Sequence, residues 1–323
     1  MRTLVIAIVA SLLLFGSANA DLTCSSAMTL DTLVTCIRDQ MPKAESDGYV
    51  APTPSQRADW RIVINQMLQG SCDFAVPVSL NGIVQVRTFT DTGNGRSYCL
   101  LMEVRNQKHP RFVDHGFGTF LVYSNATRQL SHQAVHPIFD GNTDIQAVTL
   151  FKDTDSRSFL MAGAHRNANS AASACLPDER ESDPSHNVNT MVQAANEELL
   201  AYYGATPWFA IQWHGMDAKR CKTTDVHLSH GLKRHAPTDK IVVLRDKLRH
   251  NSNTSNWHVS LAGSRCKRDG TENMQGRLIN GVAAERVCCT PASSITQKFI
   301  HIEQHMEFRT PSDWIAPITD AFP

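Results

Sequence analysis

Apolar residues in this chain gather into short runs that end on polar side chains. Ile83 to Phe89 alternates and is closed by the turn Asp91-Thr-Gly-Asn-Gly95. Tyr98 to Val104 and Gly116 to Tyr123 are rich in β-formers, and Leu130 to His136 alternates weakly. Each run reads as a strand. Beyond them the pattern becomes strand–helix. Asp144 to Lys152 predicts a helix capped by Asn142 or Thr143, and Phe159 to Ala164 a buried strand. Val188 to Tyr203 predicts a helix, and Phe209 to Trp213, Ile241 to Leu244 and His258 to Ala262 predict strands. A last strand is expected within Phe299 to Phe308. This alternation predicts an α/β domain over residues 71–323, with a mainly parallel or mixed sheet and helices on both faces. Ahead of it, Leu30 to Met41 and Ser55 to Leu68 carry helical spacing around Pro52-Thr-Pro54. Residues 21–70 therefore predict a small helical extension covering one edge of the main domain.

The first twenty residues have another character. Met1-Arg2 is a short basic start, Leu4 to Phe15 is apolar, and Ser17-Ala-Asn-Ala20 is a small-residue cleavage site. They predict a signal peptide over residues 1–20 and a secreted protein, extracellular or periplasmic. No later segment is long and apolar enough to span a bilayer. The 31 basic residues balance the 31 acidic ones, so charge argues against nucleic acid or an anionic membrane surface as partner.

Nine cysteines, at 24, 36, 72, 99, 175, 221, 266, 288 and 289, contain no C-x-x-C pair. In a secreted chain they predict about four disulfides with one thiol left over, and different partners for the adjacent Cys288 and Cys289.

Candidate chemistry sits at the ends of apolar runs, where open α/β sheets place ligands. His214 follows the run Phe209 to Trp213 and precedes Gly215, whose small size would let the chain turn tightly beside a cleft. His136 and Asp140 flank Pro137, which disfavours a helix, so a loop can bring both round one metal. Asp144 is the alternative carboxylate, although its place at a helix start also suits the helix dipole. Read as a strand, Phe299 to His305 puts His301, Glu303 and His305 on one face. Glu303 is then a candidate general base, and the three together are an alternative metal set. His165 and Arg166 follow a buried strand, and His186 lies in the next polar segment. Arg166 could grip a substrate carboxylate, or tie down the 170–185 loop through Asp178, Glu179 or Asp183. G-x-S-x-G, H-E-x-x-H and phosphate-binding glycine motifs are absent.

This order, a His with an acid, an Arg segment, a strand-borne His-Gly and a Glu on the last strand, resembles the zinc-carboxypeptidase-like hydrolases over residues 130–310. The likeness is to the branch containing poly-γ-glutamate hydrolase, N-formylglutamate amidohydrolase and succinylglutamate desuccinylase. Asp140 stands where that family commonly carries Glu, and not at the usual His-x-x-Glu spacing. The resemblance implies one zinc ion held by His136, Asp140 and His214, and Glu303 as base and then proton donor. It also implies Arg166, with His165 and His186 nearby, orienting a small acidic or peptide-like substrate. The expected function is hydrolysis of an amide or peptide bond near a carboxylate. A metal-dependent esterase, or a disulfide-stapled binding protein without catalysis, fits the same residues.

Overall fold

The computed structural model describes residues 24–104, 112–217 and 219–323; the predicted signal peptide lies outside them. Among the described residues, nine strands form one mixed sheet in the order β1-β2-β3-β5-β4-β6-β9-β7-β8. Its first part is a meander of β1 (Val84–Thr90), β2 (Ser97–Glu103) and β3 (Thr119–Val122), with β3 antiparallel to β5 (Ser156–Met161). The centre is parallel, with β4 (Arg128–Ala134) between β5 and β6 (Phe209–Gly215), and β9 (Phe299–Gln304) beyond β6. At the far edge β7 (Val226–Ser229) runs antiparallel to β9 and parallel to β8 (Val259–Leu261).

The seven α-helices among the described residues divide between two apolar cores. One core joins α1 (Leu30–Asp39), α3 (Thr143–Asp153), α5 (Lys240–His250) and α7 (Pro311–Ala321) to the sheet through Leu33, Leu150, Ile241 and Trp314. The other joins α2 (Pro54–Leu68) and α4 (Met191–Tyr203) through Trp60, Ile64, Leu199 and Trp208, with Ile279 of α6 (Met274–Ile279). Fully burying each of these large apolar side chains is worth about 1.5–3 kcal/mol. Helices α1 and α2 thus pack into the two main cores. Thr29 and Thr53 each close a capping box at their starts, which fixes where the two helices begin.

The expected strand at Ile241 to Leu244 is instead the start of α5. Ile241, Val242, Leu244 and Leu248 are the buried positions, a helical spacing that continues past the short apolar run. Basic Lys247, Arg249 and His250 in the last turn suit a helix C-terminus. The tightly turning Gly215 is also corrected, because it remains in β6, paired with Gln304. A side chain there would collide with the Arg309 guanidinium, so Gly215 serves close approach.

Four disulfides join Cys24–Cys36, Cys72–Cys99, Cys175–Cys288 and Cys221–Cys266, and Cys289 is free and exposed. Cys288 and Cys289 therefore do not bond to two different partners as expected, because Cys289 is the thiol left over. This much cross-linking belongs to an oxidising compartment. Among the described residues, no helix is long and apolar enough to cross a membrane.

Candidate metal centre

Chain order places the site. From β4 the chain goes through α3 to β5 on one side, and later through α4 to β6 on the other. The helices lie on opposite sheet faces, which makes the carboxyl ends of β4 and β6 a topological switch point. A cleft of about 640 Å³ opens there, lined by His136, Asp140, Arg166, His186, His214, His301 and Glu303 among others.

His136 lies two residues past β4. Backbone N–H of Asp140 donates to the His136 carbonyl at 2.8 Å, closing one turn that folds the Asp140 carboxylate back towards the imidazole. His136 Nδ1 stands 3.2 Å from Asp140 Oδ2, and His214 Nδ1 stands 3.4 Å from the same oxygen. All three residues are buried. The alternative acid, Asp144, faces elsewhere and pairs with Arg38 at 3.1 Å.

The far nitrogens of both rings are held. His136 Nε2 contacts Asp183 Oδ1 at 2.9 Å. His214 Nε2 lies 3.3 Å from Gln212 Oε1, which also accepts from Asn273 Nδ2 at 2.8 Å. Gln212 Nε2 donates to Gln133 and Gln275, so its amide orientation is set from several sides. His214 therefore carries its proton on Nε2 and turns the Nδ1 lone pair towards an anionic oxygen. Two acceptors face one another there, as they do around a cation. Burial holds His214 below the usual imidazole range, whereas Asp140 is held below the carboxylate range against burial, chiefly by its hydrogen bond with His136. Burial also opposes charge on His136, but Asp183 overrides it and raises the group to about 9. Two Nδ1 atoms and one carboxylate, with carboxylate and amide partners behind the rings, fit a zinc ion with an open position.

Glu303 projects from the end of β9, with its backbone paired to His214 across the sheet. Burial, then the nearby Asp140, pushes its carboxyl up to about 8. His301 Nε2 lies 3.9 Å from Glu303 Oε1, and the His301 and His214 rings are 4.5 Å apart. His214, His301 and Glu303 form a second possible ligand group, while His305 instead bonds the Arg220 carbonyl at 3.0 Å. The same-face set His301, Glu303 and His305 is therefore not brought together.

Arg166 lines the cleft, but its charge is already taken up. It pairs with Glu179 at 3.2 Å and with Asp183, and its guanidinium lies over the Phe139 ring. These contacts tie down the 170–185 loop. His186 also lines the cleft and bonds Asp183 at 3.0 Å. His165 does not line it; its ring packs on Phe139 and its Nδ1 accepts from the Asn167 backbone. Cys175, bonded to Cys288, is no nucleophile.

Three supporting residues escaped sequence reasoning. Asp183 was visible only as a possible ion-pair partner of Arg166. Gln212 sits two positions before His214 on the same strand face, a weak signal in itself. Arg309 donates to the Gly141 and Gln304 carbonyls at 2.5 and 3.1 Å, tying the loop after Asp140 to the end of β9, and nothing in its local sequence announces this.

Neither a family model nor a curated protein matches the chain. Among solved structures it is similar to gene product Atu2144 from Agrobacterium tumefaciens, at 11% identity and TM-score 0.33, over 59% of this chain and 85% of that one. It is similar to a protein provisionally described as carboxypeptidase A from Shewanella denitrificans, at 11% identity and TM-score 0.33, over 85% of this chain and 68% of that one. Likeness this loose says nothing about chemistry, which rests on the residues themselves.

Proposed function

We propose that this chain is a secreted zinc-dependent hydrolase that cleaves an amide or peptide bond in an acidic substrate. The observation that carries the reading is the convergence of His136 Nδ1 and His214 Nδ1 on Asp140 Oδ2 at a switch point beside Glu303. His136, Asp140 and His214 would hold the ion, as the zinc-carboxypeptidase-like resemblance implies. Zinc held there supplies Lewis acidity, polarising a carbonyl oxygen and making water more acidic.

Glu303 supplies the proton chemistry. Its carboxylate takes a proton from the attacking water and returns it to the departing amine nitrogen. Burial makes that carboxylate a stronger base than a free one, so once ionised it takes the proton readily. Asp183 and Gln212 fix the two imidazoles, and Arg309 fixes the loop that carries Asp140. Secretion accords with the disulfides and with the predicted signal peptide.

The test is amine release from a panel of N-acyl amino acids and acidic dipeptides, with matching esters included. Glu303→Gln should abolish turnover while zinc content stays at the wild-type level. Retained turnover in that variant would remove Glu303 as the base. Cleavage of the esters alone would replace the amide reading with an esterase.

A further inference from the structure

The cleft has two positively charged flanks, and only one is neutralised from within. On the β5 side, Arg166 is spent on Glu179 and Asp183. On the β7–β8 side, Arg220, Lys233, Lys267 and Arg268 line the cleft, and none of these four forms an ion pair among the described residues. Arg268 is half-buried and the other three are exposed. The exposed carboxylates lining this flank are Asp217 and Glu272, while Asp269 is buried against His227 at 3.1 Å. Positive charge is therefore in excess there.

This flank is also built. Residues 262–273 fold back after β8, with the Asp269 carbonyl accepting from Ser229 at 2.7 Å and Gly270 packed against the His301 ring. The Cys221–Cys266 disulfide fastens the segment carrying Arg220 to the one carrying Lys267 and Arg268. Arg220, Lys267 and Arg268 are thus held on one wall next to Glu303, with Lys233 lining the same open cleft.

We propose that this wall, chiefly Lys267 and Arg268 with Arg220 and Lys233, binds the anionic part of the substrate in place of Arg166. The cleft then selects an acyl compound whose carboxylates lie on the β7–β8 side of the scissile bond, such as an acidic oligopeptide. The inference rests on the hydrolase reading for its substrate, but its binding test does not depend on turnover.

The probe is a fluorescein-labelled tetraglutamate peptide, followed by anisotropy, with tetraglutamine as the neutral control. The proteins are wild type, Lys267→Gln/Arg268→Gln and the remote Lys247→Gln/Arg249→Gln on α5, each checked for folding by circular dichroism. Wild type should bind tetraglutamate and not tetraglutamine, more weakly as salt rises. Losing two charge-assisted contacts should weaken binding about tenfold or more in the wall variant, and not in the α5 variant. Equal weakening by both variants, no weakening by either, or no binding by wild type would overturn the proposal. His214→Ala should still bind the probe. If zinc or turnover is lacking while the wall variant shows its selective loss, the hydrolase reading falls and the wall stands. If zinc and turnover are present and the wall variant binds normally, the wall alone falls.

Discussion

Asp183→Asn separates a designed support from an incidental contact. The carboxylate is fully buried and serves two sides. Oδ1 accepts from His136 Nε2 at 2.9 Å and from the Ser185 backbone at 3.0 Å. Oδ2 meets His186 Nδ1 at 3.0 Å and the Arg166 guanidinium. An amide of the same shape can accept on one side only, and presents N–H groups to donors on the other. Two hydrogen bonds to a charged group are lost, each worth about 1.5–3 kcal/mol, and Arg166 keeps only its more exposed partner Glu179. Breaking a buried pair in this way costs about 3–5 kcal/mol. Urea unfolding of the metal-free protein at pH 7 should show a loss of that order. His136 also loses the acceptor that sets its ring, so zinc affinity measured against a competing chelator should fall about 10–100-fold. A stability loss under about 1 kcal/mol, with unchanged zinc affinity, would refute the claim that Asp183 supports the site.

Two further outcomes follow from groups behind the site. His132 is fully buried, accepts from Trp213 Nε1 at 3.2 Å, and is lowered by burial from 6.5 to about 3. A neutral folded His binds fewer protons than the unfolded chain below pH 6.5, so stability should fall as pH drops from about 6.5 towards 3. His132→Gln should flatten that part of the profile in urea titrations, and an unaltered slope would discount His132. Gln212→Leu keeps the volume and removes the acceptor for His214 Nε2. Nitrogen-15 NMR of the metal-free variant should show His214 leaving the Nε2–H tautomer, with weaker zinc binding; an unchanged tautomer would make Gln212 merely structural.

Much of the fold was legible because buried parallel strands advertise themselves as apolar runs, as Phe209 to Trp213 does. Helix α5 was not, since Ile241 to Leu244 fits either period and only Leu248, a turn later, decides it. The pairing of His136, Asp140 and His214 on strand ends was visible as residue types at run ends. The choice of Asp140 over Asp144 needed the backbone turn from His136, which sequence spacing does not reveal. Arg166 shows the limit most clearly. Its position after a strand left open a substrate-gripping cation or an anchor for the 170–185 loop, and only the folded contacts with Glu179 and Asp183 decide for the anchor. The unpaired cations on the other flank come from three separate segments, two of them joined by the Cys221–Cys266 disulfide, whose pairing cysteine spacing does not reveal.

The most direct measurement is the metal content of purified, zinc-equilibrated protein by elemental analysis, with His214→Ala prepared in parallel. The account predicts close to one zinc per wild-type chain and loss of that zinc in a folded His214→Ala. Wild-type protein without stoichiometric zinc, or a folded variant that retains it, would contradict the proposed centre.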